Sequence, residues 1–252
     1  MPTLAELTDP YVGSYRPVPP SGPGICEVCH SQPGVGFTRC WSCEDTGRQV
    51  SRPVDLVVPI AMCEYGGQLH TLLRRYKSAG VATVIRNEAA LRLAGLAGRF
   101  LARHSECIAR ASGMTWEGVV PVPSTQGRVG AHPLEAVLRM LPLHGDSVEP
   151  LLGPGKVAAT HNRPSDVAFT VREDVRNRRL LVFDDTFTSG ARAQSAASAL
   201  QLAGARVVAI TVIGRFVRPD RVPDLWDRIS KAPYDFSRCC LEVDDDGKVV
   251  GP

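Results

Sequence analysis

Residues 180 to 192, Leu-Leu-Val-Phe-Asp-Asp-Thr-Phe-Thr-Ser-Gly-Ala-Arg, constrain this chain more than any other stretch. Leu180 to Phe183 are apolar without alternation, the pattern of a strand covered on both faces in a parallel sheet. An α/β fold is therefore expected, with Asp184 and Asp185 at the carboxyl end of a strand, where open α/β sheets bind their ligands. Thr186 to Arg192 follow as a loop of small and hydroxylated residues, and Gly190 lets a ligand approach the backbone closely. A helix rich in Ala, Ser, Gln and Leu is expected from Ala191 to Ala203. Its first amides, with the Thr188 and Ser189 hydroxyls, form a cavity for an anion at the positive end of a helix dipole. A phosphate fits there. Two carboxylates beside it would repel it unless something between them needs acceptors or positive charge. A ribose diol supplies the donors, and Mg²⁺ shared with a pyrophosphate supplies the charge. The pattern points to an activated ribose phosphate; a plain strand end with Ser189 as a helix cap is the other account of these residues.

The segment resembles the PRPP-binding signature of the type I phosphoribosyltransferases, PRPP being 5-phosphoribosyl 1-diphosphate. The resemblance implies an α/β fold with a parallel sheet flanked by helices. It puts Asp184 and Asp185 on the ribose hydroxyls, as the catalytic pair, and Thr186, Thr188, Ser189, Gly190, Ala191 and Arg192 on PRPP, with residues 188 to 192 at its 5′-phosphate. Thr186 and Phe187 stand where the family usually has aliphatic residues, and Arg192 where a threonine is common. Purine-salvage members carry an aspartate at the position of Thr188, where it handles a proton on the base. Threonine cannot do so, and the resemblance therefore leans towards an amine or another ring as the nucleophile.

Cys26 and Cys29 form one C-x2-C pair, and Cys40 and Cys43 form another after a gap of ten residues. Each pair can place two thiolates on one knuckle, and four thiolates at about 2.3 Å satisfy tetrahedral Zn²⁺. Pro33, Gly34 and Gly36 lie between the knuckles, where a short ribbon turns back on itself. Reduced buried thiols, a disulfide pair or an iron–sulfur centre are the competing accounts. His30 is expected to be a bystander, Cys63 and Cys107 core or edge thiols, and Cys239 and Cys240 ordinary free thiols.

At 252 residues the chain suits one α/β domain with a small accessory module. The expected order is a Pro/Gly-rich arm (1–24), a four-Cys zinc ribbon (25–52), the α/β domain (53–218) and a carboxy-terminal extension (219–252). A formal charge of +3 is too near balance to argue nucleic-acid binding. The sequence shows no signal-peptide core and no apolar run of membrane-spanning length. Metal-type cysteine spacing fits a reducing compartment, and the cytoplasm is expected.

Along the chain, Val54 to Ile60 predicts a strand, and Leu69, Leu72, Leu73 and Tyr76 one face of a helix from Gln68. A second amphipathic helix is expected from Asn87 to His104, a further one from Leu134 to Leu141, and short strands at Val148 to Leu152 and Ala205 to Gly214. Gly118 to Pro123 predicts a buried strand running into Ser124, Thr125, Gln126, Gly127 and Arg128. A turn of this kind contacts pyrophosphate in type I phosphoribosyltransferases, and the candidates here are Ser124, Thr125 and Arg128. Gly153 to Asp166 has little to bury and reads as a polar flap. Its Lys156 and Arg163 are candidate catalytic cations for a leaving pyrophosphate, and a solvated loop is the plainer alternative.

Taken over residues 25 to about 216, the chain resembles the competence-protein ComF family of phosphoribosyltransferase-like proteins. The likeness rests on the four-Cys module, on Tyr65 with Leu72 and Lys77, on Val120 to Pro123, on Arg163 to Phe169, and on the PRPP loop. It departs at Gly130 to Leu134 and at Asp166, where an asparagine is typical. Two functions follow. One is a phosphoribosyltransferase, a pentosyl-transferring enzyme that displaces pyrophosphate from PRPP with a nitrogen nucleophile and Mg²⁺. The other is a non-catalytic protein that uses the zinc ribbon to meet DNA or a DNA-handling partner.

Overall fold

The computed structural model describes residues 3–124, 132–141 and 147–242; Thr125 and Arg128 lie outside them. The chain enters through α1 (Leu4–Thr8), closed by a capping box in which the Thr3 hydroxyl accepts from the Glu6 amide and the Glu6 carboxylate accepts from the Thr3 amide. A 3-10 turn follows at Asp9–Ser14. The Pro/Gly-rich arm thus begins as a helix, and it lies on the long helix α4, where a Cβ at Gly95 would stand 3.0 Å from Leu7.

After the first cysteine pair the chain turns and enters α2 (Trp41–Gln49), with Cys40 at its N-cap and Cys43 in its first turn. β1 (Val57–Glu64), α3 (Gln68–Arg75) and α4 (Thr83–Ser112) come next. β1 starts three residues later than the apolar run suggests, because the Gln194 side chain clasps the Val54 backbone, accepting from its amide at 2.9 Å and donating to its carbonyl at 2.7 Å. α4 extends beyond both expected ends and stops at Gly113, whose φ of 73° breaks the helix.

β2 (Gly118–Pro121), α5 (Pro133–Arg139) and the edge strand β3 (Ser147–Val148) follow. The single strand expected at Val148 to Leu152 is divided. Residues beyond Pro150 leave the sheet for an antiparallel ribbon of β4 (Leu152–Pro154) and β5 (Phe169–Val171), which brackets the flap. β6 (Arg179–Phe187), α6 (Ala191–Leu202) and β7 (Arg206–Val217) complete the sheet, and α7 (Pro223–Lys231) lies beyond it. The five-stranded sheet runs β1-β7-β6-β2-β3 with every pairing parallel. This is the α/β parallel sheet expected from the sequence, flanked by helices and joined by a four-cysteine module.

A parallel sheet buries both faces, and two cores result. On one face Leu181 and Phe183 pack with α3, α4, α5 and the carboxy-terminal Tyr234 and Phe236. On the other, Leu180 and Val182 pack with α6 and with the four module cysteines. No helix among the described residues is long and apolar enough to cross a membrane.

Candidate functional site

Parallel strands all end on one edge, and Phe183 of β6 pairs with Pro121 of β2. The chain leaving β2 is therefore delivered beside Asp184 and Asp185. Successive residues of a strand face opposite sides. Asp184 continues the Leu180 and Val182 side towards α6, and Asp185 continues the Leu181 and Phe183 side towards α3.

That alternation gives two adjacent buried acids different surroundings. The Asp185 Oδ2 accepts from the Lys77 Nζ at 2.7 Å and from the Tyr76 hydroxyl. Burial pushes its carboxyl up, but the charge of Lys77 and the hydrogen bonds from Lys77 and Tyr76 outweigh this, and the net shift is downward. The other oxygen, Oδ1, is buried without a hydrogen-bond partner among the described residues. Asp184 accepts from the Asp185 amide at 2.8 Å and has the Arg192 guanidinium at 3.7 Å. Burial pushes its carboxyl up to about 6; the Arg192 charge opposes the rise and the Asp185 charge adds to it. The pair thus combines a firmly ionised acid with one that holds its proton more tightly.

The loop after β6 is held rigidly. Gly190 has φ 82°, and a Cβ there would lie 2.3 Å from the Phe187 ring, so only glycine fits. The Ser189 hydroxyl accepts from the Asn162 amide at 3.1 Å and the Ala191 amide at 3.4 Å, which leaves its own O–H to donate outward. Beneath the loop, the fully buried Arg215 of β7 donates to the carbonyls of Phe187 (3.1 Å), Thr188 (2.9 Å) and Phe216, and to the Cys29 Sγ at 3.2 Å. Thr46 of α2 donates to the Ser189 carbonyl at 3.2 Å. The four-cysteine module is thereby bonded directly to the loop.

Within the module the sulfurs of Cys26, Cys29, Cys40 and Cys43 are buried and lie within 4.8 Å of one another, so the group can hold a zinc ion. Cys29 and Cys40 are 3.6 Å apart, close to the spacing of two thiolates on a tetrahedral ion. His30 has φ 59° and its Nδ1 lies 3.0 Å from the Pro19 carbonyl, outside the sulfur set, as expected of a bystander.

A cavity of about 420 Å³ collects these groups: Asp184, Asp185, Thr186 and Thr188 to Ala193 line it, facing Lys77, Arg74, Thr160 and His161. It continues into a larger space, about 940 Å³, that reaches Ser124 and His132. The structure thus brings together every proposed PRPP-loop residue and Ser124. Arg192 leans back to donate to the Pro123 carbonyl at 3.2 Å. Lys156 and Arg163 are exposed on the flap, and neither lines the cavity. The Asp166 carboxylate accepts from Ser51 and Ser198, which places it at the joint between module and α6, and it does not line the cavity. The sequence did not single out Tyr76, Arg74, Thr46 or Arg215 as site residues. Arg215 alone carried a signal, a charge inside an otherwise apolar buried strand.

No protein-family model matches the chain, and no curated protein does. Among solved structures it is similar to the orotate phosphoribosyltransferase of Mycobacterium tuberculosis H37Rv in complex with PRPP, at 20% identity over 60% of this chain and 86% of that one, with a TM-score of 0.34. The same enzyme with inorganic phosphate gives 18% identity over the same shares and a TM-score of 0.33. A phosphoribosyltransferase from Corynebacterium diphtheriae gives 17% identity over 60% of this chain and 94% of that one, with a TM-score of 0.33.

Proposed function

We propose that the chain binds PRPP in this cleft and transfers its phosphoribosyl group to a nitrogen nucleophile. The observation that carries the proposal is the meeting, at the end of one strand, of two buried carboxylates, one with an unpartnered oxygen, and a rigid loop opening a helix. In the reaction the bond from ribose C1 to pyrophosphate breaks and its electron pair leaves with pyrophosphate. The lone pair of the nucleophile forms the C1–N bond, and the surplus proton passes from nitrogen to water.

Asp184 and Asp185 accept from the ribose hydroxyls. The Ser189 O–H, the Thr188 hydroxyl and the amides at the start of α6 donate to the 5′-phosphate. Lys77 and Arg74, which line both parts of the cavity, add positive charge near the leaving group. Ser124, Thr125 and Arg128 are assigned to pyrophosphate, and closure of the flap brings Lys156 or Arg163 to it. The donor set suits Mg²⁺: the unpartnered Asp185 oxygen and the Asp184 carboxylate are hard oxygen donors, and the ion neutralises charge on the pyrophosphate when bound. The four-Cys module ahead of the loop supports a ComF-like protein, and eight cysteines outside any disulfide suit the cytoplasm.

Calorimetry of PRPP with and without Mg²⁺ tests the proposal, on the native chain and on the Asp184→Asn, Asp185→Asn double variant. Mg²⁺-dependent binding that the variant loses is the expected result; a folded, zinc-loaded native chain that binds no PRPP overturns it. A second role is favoured by exposed Val35, Phe37 and Trp41 on the module, which suit docking to a DNA-handling partner. Salt-sensitive DNA capture that Trp41→Ala reduces, without PRPP binding, is the outcome that role requires.

A further inference from the structure

On the face of the sheet opposite the module, a second group of soft ligands converges from distant parts of the sequence. His104 and Cys107 stand three residues apart on α4, hence on one face of the helix. Cys239 reaches them from the carboxy-terminal segment, and the His104 nitrogen and the two sulfurs lie within 4.8 Å of one another. His104 Nδ1 and Cys107 Sγ are 3.8 Å apart. Nitrogen and sulfur ligands at ~2.1 and ~2.3 Å from a tetrahedral ion stand about 3.6 Å apart, so the gap fits a shared ion.

The support around the group is that of a ligand site. The His104 Nε2 lies 3.0 Å from the Phe236 carbonyl. Donation there fixes the ring and leaves Nδ1, the nitrogen beside the sulfurs, with its lone pair free, which is how metal-binding imidazoles are oriented. The ring is buried and packs against Phe100. Arg110 donates towards the Cys107 sulfur at 3.6 Å. On the other side, the Cys239 amide donates to Glu242 at 3.1 Å, while Tyr234, Phe236 and Cys240 are buried in the core on either side of it. The three ligands therefore sit on a helix and on a segment anchored at several points.

We propose that His104, Cys107 and Cys239 form a second site for a thiophilic divalent cation of the zinc class. Among the described residues no fourth His, Cys, Asp or Glu joins the set, so water or another small ligand completes the coordination. The ion ties the carboxy-terminal segment to α4 and is independent of the PRPP cleft.

The test is the zinc content of the full chain, purified under reducing conditions from zinc-supplemented cells. Two zinc ions per chain are expected. Cys107→Ser and Cys239→Ser should each retain one, and Cys26→Ser should lose the other. Co²⁺ substitution reads the same site without a count: the sulfur-to-cobalt absorption band of the native chain should fall in Cys107→Ser while the circular dichroism stays native. His104→Gln repeats the test should a cysteine variant misfold. One zinc per chain in the native protein, with content and cobalt spectrum unchanged in Cys107→Ser and Cys239→Ser, overturns the proposal. A Cys107–Cys239 disulfide, seen as a linked peptide in the reduced preparation, overturns it equally.

Discussion

The two sulfur clusters sit on opposite faces of one sheet and differ in what they touch. The four-cysteine module is bonded to the loop after β6 through Arg215 and Thr46, and to the flap through Gln49 and Ser51. Among the described residues, the hydrogen bonds of the His104, Cys107 and Cys239 group run within α4 and to the carboxy-terminal segment. The same ligand types thus stand against the loop after β6 in one place and join α4 to a chain end in the other. The contrast teaches that the module belongs to the cleft's support, since Arg215 and Thr46 tie it by hydrogen bonds to the loop that follows the strand carrying the acids.

The largest expected effect breaks the module's link to the loop. Arg215→Met leaves three carbonyls and a thiolate without their shared cation, and losing one partner of a buried charge pair costs ~3–5 kcal/mol. Urea unfolding should show that loss, and PRPP binding should vanish with it. A fully stable variant that still binds would mean the module and the loop are independent. Next comes Gly190→Ala, which forces a left-handed residue against Phe187 and should cost about 1–3 kcal/mol; phosphate affinity should fall at least as sharply as stability. Thr46→Val removes one hydrogen bond from the Ser189 carbonyl and should cost ~1 kcal/mol. Its effect on PRPP titrations sharpens the comparison, because Cys107→Ser on the other face should leave them unchanged.

The smallest effect is a titration. Burial raises the Asp184 carboxyl from 3.8 to about 6. A raised acid binds its proton more tightly in the folded chain, so its contribution to stability is full below the unfolded value and is lost as pH rises through about 6. The melting temperature of the native chain should therefore fall relative to Asp184→Asn across that window. Asp185 has the opposite sign: its lowered value contributes stability above the unfolded value and loses it as pH falls. A melting curve for Asp184→Asn that parallels the native one at every pH would remove Asp184 from the account.

The strand, the acids and the loop were legible because the information is local: an apolar run, two charges and a small-residue turn fall within one stretch of sequence. The cysteine module was legible for the same reason. What the sequence hid is long-range. Tyr76 and Lys77 meet Asp185 across more than 100 residues, and nothing in the helix period that buries Tyr76 says what its hydroxyl will find. Cys239 reads as an ordinary thiol in the sequence, and its closeness to His104 and Cys107 on α4 joins residues far apart in the chain. Lys156 and Arg163 depend on the same kind of long-range information: charge in a polar loop suggests a role in the cleft, and in this structure both side chains are exposed on the flap.

Because Asp184 and Asp185 are neighbours on a pleated strand, their chemical difference is a property of register as much as of residue type. A one-residue slip of β6 would hand the Lys77 and Tyr76 contacts to the wrong acid and turn both protonation states around without changing a single side chain. Insertions or deletions within Arg179–Phe187 should therefore be far less tolerable than substitutions there, and the sheet that supports the site also sets its acidity.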